Sequence, residues 1–215
     1  VKSGSTSERE TLMNTPHAPT PSTLGTIDRR EFVRQLLAHT PDALVITGLG
    51  SPTYDVYASG DRDRYFYLWG AMGGALPMGL GLALAQPQRP VLVITGDGEQ
   101  LMGLGAMATA AAQQPSNLSV VVLDNGHFGE TGMQRSHTSL GTRLVGVAQA
   151  CGIAHAREIF QMSEVHALAQ EINARQALVF AQVHIKPEDV PRELPTRDGT
   201  FLKNRLRMHL GHPLV

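Results

Sequence analysis

A single cysteine, Cys151, excludes an intramolecular disulfide and any cluster ligated by cysteines of this chain alone. It fits a reducing compartment, and a cytoplasmic location is the expectation. Aromatic residues are sparse at 5%, with one tryptophan, so the core must be aliphatic. Neither sign of charge is in excess: 18 Lys and Arg oppose 19 Asp and Glu. That balance offers no basic field for nucleic acid and no acidic tail. Long hydrophobic runs are also missing. The longest, AMGGALPMGLGLALA at 71–85, is interrupted by five glycines and prolines. It falls short of the roughly 20 residues of a membrane span and reads as a buried helix. No Gly-Lys-Ser/Thr phosphate loop occurs, and Gly48-Leu-Gly50-Ser-Pro-Thr53 lacks the third glycine of a dinucleotide fingerprint. No secretory signal is visible.

What is present is an ordinary globular composition, 42% hydrophobic and 17% charged, over a length that suits one domain. Residues 1–26, polar and rich in Ser, Thr and Pro, read as a disordered leader, with Met13 a candidate native start. Residues 27–186 carry the core. Residues 187–215 are polar and Pro-punctuated, and are expected to wrap a neighbour.

Within the core, helical spacing of apolar residues predicts helices over 28–40, 74–86, 99–114, 143–152 and 163–176, with Ser163 as an N-cap and Gly152 as a helix stop. Cys151 falls in a helix stripe and reads as core. The runs ALVITG (43–48), YFYLWG (65–70), VLVIT (91–95), LSVVVLD (118–124) and ALVFAQVHI (177–185) read as strands, and 48–64 as a loop. Strands that are continuous Val/Ile/Leu runs are buried on both faces, and their alternation with helices implies crossovers. The expected architecture is a parallel sheet in a three-layer α/β/α sandwich.

Two of these strands end abruptly. VLVIT runs into Gly96-Asp97-Gly98, and LSVVVLD ends in Asp124-Asn125-Gly126. In open parallel sheets ligands collect beyond the carboxyl ends of the strands. Glycines there permit close backbone approach, and a helix N-terminus presents free N–H groups to an anion. Gly-Asp-Gly alone reads as a tight turn with Asp97 capping a helix. Between Gly98 and Asn125 lie 26 residues, one helix and one strand, which return the chain to the same edge. A divalent cation held by Asp97 and the Asn125 amide then reconciles a carboxylate with an anion site, because magnesium takes oxygen ligands from protein and phosphate together.

GDG followed by this spacing and an Asn resembles the thiamine-diphosphate motif, GDG…NN in its usual form. LWGAMGGALPMGLGLALAQPQRPVLVITGDG is similar to the run before that motif in 2-oxo acid decarboxylases and acetohydroxyacid synthases. VVLDNGHFGETGMQRSHT resembles the corresponding run of sulfopyruvate and phosphonopyruvate decarboxylases. The resemblance covers residues 28–186 and implies the diphosphate-binding domain of a thiamine-dependent enzyme, with thiamine diphosphate and Mg2+ as cofactors. It assigns the metal to Asp97 and Asn125 side chains and the His127 carbonyl. Met72 would support the cofactor's bent shape, and the Gly70 carbonyl would meet the aminopyrimidine. Gly96 lies at the same turn, the Gly98 and Glu99 N–H groups would face the diphosphate, and Gly50 and Ser51 lie at the first strand's end. Glu130, His127 and His137 are the candidates for proton handling, with Arg135 beside them. Glu99 stands where the family usually has a small residue, although transketolases carry GDGE. Asp124 replaces the first Asn of the pair.

In this family the glutamate that activates the aminopyrimidine belongs to a second, PYR-type domain, for which the segment before residue 28 is too short. The resemblance thus implies a partner subunit supplying that glutamate, a heterotetramer, and a chain inactive by itself toward 2-oxo acids. The alternatives are a split transketolase-like subunit, suggested by GDGE, and a non-catalytic thiamine-diphosphate-binding regulatory module.

Overall fold

The computed structural model describes residues 25–213; most of the expected disordered leader and the candidate start at Met13 lie outside them. Asp28 caps α1 (Arg29–His39) by accepting from the Glu31 N–H at 2.9 Å. The chain then runs through β1 (Leu44–Thr47), α2 (Ser51–Ala58), β2 (Tyr65–Tyr67), α3 (Ala75–Ala85) and β3 (Val91–Gly96). Two short helices, α4 (Asp97–Met102) and α5 (Gly105–Gln113), lead to β4 (Leu118–Asp124). A two-residue-per-strand hairpin, β5 (His127–Phe128) and β6 (Gln134–Arg135), precedes α6 (Leu144–Ala150). The domain continues with β7 (His155–Ile159), α7 (Val165–Ala174), β8 (Val179–His184) and α8 (Gly199–His209).

Six strands form one parallel sheet in the order β2-β1-β3-β4-β8-β7. β1 and β4 are buried at every residue, as continuous apolar strands covered on both faces must be. Period-2 alternation sorts their side chains into two cores. Leu92 and Ile94 face a cluster with Phe32 and Leu36 of α1, Leu168 and Ile172 of α7, and Leu202 of α8. Val91 and Val93 face the other cluster, with Leu76 and Leu80 of α3, Met107 of α5 and Leu144 of α6. The three-layer α/β/α sandwich expected from the sequence is therefore present.

Several local readings differ. The expected helix over 99–114 breaks at Gly103, where the backbone of Gly73 passes so close that a Cβ on Gly103 would lie 2.6 Å from the Gly73 carbonyl oxygen. The expected loop 48–64 contains α2, which starts from Gly50 at φ +80° with a proline in its first turn. Residues 155–159 form an edge strand that the sequence reading passed over. Ser163 does not cap α7. Gln161 and Glu164 form a capping box one turn earlier, with Glu164 Oε1 accepting from the Phe160 and Gln161 N–H groups at 3.0 Å. Gly152 does close α6, at φ +100°. Cys151 is half-buried against the second core. Among the described residues no helix is long and apolar enough to cross a membrane.

Residues 199–209, within the tail expected to wrap a neighbour, form α8 against this chain's own β2. Leu202 is buried there, and Arg205 pairs with Asp61 at 2.6 Å and donates to the Tyr65 carbonyl at 2.7 Å.

Candidate functional site

The chain places β2 to one side of β1 and β3 to the other, so strand order reverses between β1 and β3. Connections leave in opposite directions at such a point and open a crevice at the strands' carboxyl ends. A cleft of about 430 Å³ lies there. Leu49 and Ser51 after β1, Gly96 at the end of β3 with Asp97 and Gly98 following it, and Asn125 after β4 line it together. The two abrupt strand ends of the sequence thus meet in one cavity.

Asp97 opens α4 and is only 3% exposed. Its Oδ2 accepts from the Ser136 hydroxyl and lies 3.3 Å from that of Thr138. Thr138 has one proton to give and lies closer to Asp124 Oδ1, at 2.8 Å, while Gln182 on β8 donates to Asp124 Oδ2 at 2.6 Å. Two buried carboxylates therefore share one hydroxyl network. Burial, and then the nearby Asp124 charge, push Asp97 up to about 7, against the pull of its hydroxyl donors. A cation in the cleft would relieve that cost.

Asn125 forms a tight local turn: its Oδ1 accepts from the His127 N–H at 2.9 Å, and its carbonyl lies 2.8 Å from His127 Nδ1. The turn also needs Gly126 at φ +68°, where the Asp124 carboxylate accepts from its N–H at 2.8 Å. Carboxylate, amide and carbonyl oxygens are the hard donors magnesium selects, so the residues present fit that metal. Phe128 packs over Gly98 so closely that a Cβ on Gly98 would lie 2.8 Å from the ring. That contact leaves the start of α4 with bare backbone.

Glu99 is buried, and its carboxylate accepts from the Leu49 N–H at 2.7 Å and the Ala75 N–H at 3.3 Å. The side chain thus ties the end of β1 to the start of α3. Burial pushes its pKa up, and the backbone donors pull it down. Met72, 42% exposed, lines the cleft, as do Glu99, His127 and Glu130. Gly50, Gly70 and His137 do not line it. Gly50 lies under the Glu130 side chain, Gly70 takes φ +71°, and the exposed His137 meets Phe128 edge-on with ring centroids 6.3 Å apart. Arg135 turns away to Ser139.

The sequence reading missed Ser136, Thr138 and Gln182, whose partners are far off in the chain. It also missed Arg29, which lines the cleft and lies 3.4 Å from Asp55, and Arg192, which lies 3.1 Å from Glu130.

Residues 50–185, from the start of α2 to just past β8, match the family described as thiamine pyrophosphate enzyme, C-terminal TPP binding domain. Sulfopyruvate decarboxylase subunit beta of Methanothermobacter thermautotrophicus is 40% identical over 172 residues, 77% of this chain and 86% of that protein. Phosphonopyruvate decarboxylase of Streptomyces hygroscopicus is 44% identical over 200 residues, 93% of this chain. This chain spans only 45% of that enzyme's length. Benzoylformate decarboxylase from Polynucleobacter necessarius shares the fold with a TM-score of 0.66 at 20% identity, over 77% of this chain and 34% of that one. With a cleft at the sheet's switch point, a GDG turn entering it and a family match spanning most of the core, this chain belongs to the thiamine pyrophosphate enzymes and contains their C-terminal TPP-binding domain.

Proposed function

We propose that this chain is the diphosphate- and magnesium-binding subunit of a thiamine-diphosphate-dependent 2-oxo acid decarboxylase, a carbon–carbon lyase. The observation that carries the reading is the convergence of Asp97, Asn125 and His127 on one cleft with the bare backbone of Gly96 and Gly98. The Asp97 and Asn125 side chains and the His127 carbonyl would hold Mg2+. The Gly98 and Glu99 N–H groups, at the positive end of α4, would meet the diphosphate. Ser51, with Gly50 next to it beneath Glu130, would border it from the β1 side and Met72 would offer apolar support, while the Gly70 carbonyl, outside the cleft lining itself, would meet the aminopyrimidine. Bound there, thiamine diphosphate supplies the electron sink that makes loss of carbon dioxide from a 2-oxo acid feasible.

The chain's own work is to bind, orient and move protons. The Asn125 turn fixes His127 before any ligand arrives, so little order has to be created on binding. His127 and Glu130 line the cleft and are the groups placed to exchange protons there. His137, edge-on to Phe128, acts in this reading through the position of that ring.

The activating glutamate would come from a PYR-type partner subunit in a cytoplasmic heterotetramer; of this, the subunit naming of the sulfopyruvate decarboxylase relatives supports a partner chain. Calorimetry of thiamine diphosphate and Mg2+ binding tests the assignment, with the partner present. Asp97→Ala is expected to abolish magnesium-dependent binding; unchanged affinity would refute the cofactor role. Full decarboxylase activity from the purified chain alone would refute the two-subunit reading.

A further inference from the structure

β2, β1 and β3 start level with one another at the amino edge of the sheet, where Val45 pairs with Tyr65 and Leu44 with Val91. The residues just before these strands, Asp42, Arg64 and Arg89, are therefore gathered at the end of the sheet away from Asp97. Arg175, which closes α7, and His209, the last residue of α8, reach the same place. Together they line a cavity of about 560 Å³ that shares no residue with the cleft. Ligands of open parallel sheets gather at the opposite, carboxyl edge, so the fold itself does not account for a charged cavity here.

The positive charge in this cavity is uncompensated. Three guanidinium groups line it against the single carboxylate of Asp42. None of the three has a carboxylate within 4.0 Å among the described residues. Arg64 lies over the Tyr65 ring, 5.3 Å from its centroid, and its Nε is buried with no hydrogen-bond partner. Burial, and then the Arg89 and Arg64 charges, hold His209 below the ordinary imidazole range, against the opposing pull of Asp63. Like charges collected in a partly enclosed space repel one another, and an anion among them relieves that repulsion.

The walls are fixed in advance. Asn117 Nδ2 donates to the Gln86 and Arg89 carbonyls at 3.0 and 2.9 Å, which holds the turn between α3 and β3. Arg175 takes a left-handed φ of +52° and donates from Nη1 to the Gln88 carbonyl of that turn. Asn173 Nδ2, one turn earlier on α7, donates to the His39 carbonyl at 2.8 Å. Arg89 and Arg175 thus stand on anchored backbone, and a ligand there has little order to create.

We propose that this cavity is an anion site, held by Arg64, Arg89 and Arg175, for the phosphate group of a small phosphorylated molecule or for inorganic phosphate. Guanidinium forks donate in pairs to phosphate oxygens, and a phosphate accepts from several sides at once. Its double charge also balances what three arginines leave over after one aspartate. Bound there, it bridges the strand starts, α7 and the end of α8, and so stabilises the folded chain by mass action. The inference does not depend on the cofactor reading of the cleft.

Calorimetry and thermal unfolding of the full chain test it, at one ionic strength set with NaCl. The probes are inorganic phosphate and glycerol 3-phosphate, with acetate as the singly charged control. Both phosphates are expected to bind and to raise the unfolding midpoint, and acetate to do neither. Tighter binding of glycerol 3-phosphate assigns the rest of the cavity to an organic part, whereas equal binding makes inorganic phosphate the ligand. Arg89→Gln should weaken phosphate about tenfold or more, and Arg89→Lys should restore part of that loss. Because Arg89 has no carboxylate partner, Arg89→Gln should not lower the midpoint measured without phosphate. Asp97→Ala should bind phosphate as the parent chain does. Loss of phosphate binding in Asp97→Ala would place the anion in the cleft and overturn the proposal. So would parental affinity in the Arg89→Gln/Arg175→Gln double variant, or a phosphate effect no larger than that of chloride.

Discussion

Asp97 and Asp124 face one another across the hydroxyl of Thr138, which lies 3.3 Å from Asp97 Oδ2 and 2.8 Å from Asp124 Oδ1. Burial and this second carboxylate raise Asp97 from 3.8 to about 7. In the metal-free chain the folded state therefore holds the Asp97 proton more tightly than the unfolded state does. Stability from this group is greatest below 3.8 and is lost as pH rises toward about 7. A bound cation favours the ionised form, so metal binding must expel that proton at acid pH. Magnesium affinity is expected to rise about tenfold per pH unit up to about pH 7 and then level off. Calorimetry in two buffers of different ionisation enthalpy measures the released proton directly. An affinity independent of pH across that range would contradict the assignment of Asp97 as ligand.

Glu99 should matter more for the fold than for the chemistry. Its carboxylate accepts from the Leu49 and Ala75 N–H groups, and a Cβ on Gly48 would collide with its Oε2. Glu99→Ala leaves two buried donors without partners, at a cost on the order of 3 kcal/mol. Glu99→Gln keeps the shape but turns an amide donor toward one of the N–H groups, so it too destabilises, by less. Urea denaturation reads both. Equal stability of the two variants and the parent would mean that water replaces the carboxylate.

How far the sequence spoke for the structure depended on the range of the interactions. The strand ends at Gly96-Asp97-Gly98 and Asp124-Asn125-Gly126 were legible because continuous apolar strands break off in chemistry-bearing residues at a fixed spacing. β7 was not legible: HAREI is an edge strand, half open to water, so its residues need not be apolar. α8 was hidden by its polarity, since only Leu202 and Leu206 of its face are buried. The donors around Asp97 were unreadable for a different reason. Ser136 lies 39 residues from Asp97, and Gln182 lies 58 from Asp124, so only the folded sheet brings them together. Arg192 reaches Glu130 in the same long-range way, from the segment after β8.

Gly98 offers a steric test of the cleft floor. A Cβ there would lie 2.8 and 2.9 Å from two carbons of the Phe128 ring, closer than packed carbon atoms tolerate. Gly98→Ala is expected to displace the ring, with a stability loss of about 1–3 kcal/mol. Because Phe128 follows the Asn125–His127 turn, cofactor affinity should fall as well. Adding Phe128→Leu to Gly98→Ala should recover part of both losses. Double-mutant stability equal to the sum of the single effects would show that the two sites are independent.

α8 belongs to the domain's own stability as well as to the anchorage of the segment after β8. Leu202 is fully buried beside Tyr65 and Tyr67 in the core cluster of α1 and α7, and Arg205 pins the helix to Asp61 and the Tyr65 carbonyl. Leu202→Ala opens a cavity at the edge of the sheet and is expected to cost about 2–5 kcal/mol. Because α8 also holds the far end of that segment, the same variant should loosen Arg197 from Trp69, the sole tryptophan of the chain. Trp69 emission would then shift toward that of a solvated indole under native conditions, before global unfolding. If α8 instead needs a neighbouring subunit to dock, the isolated parent chain would already show that solvated emission, and Leu202→Ala would change neither the spectrum nor the denaturation midpoint.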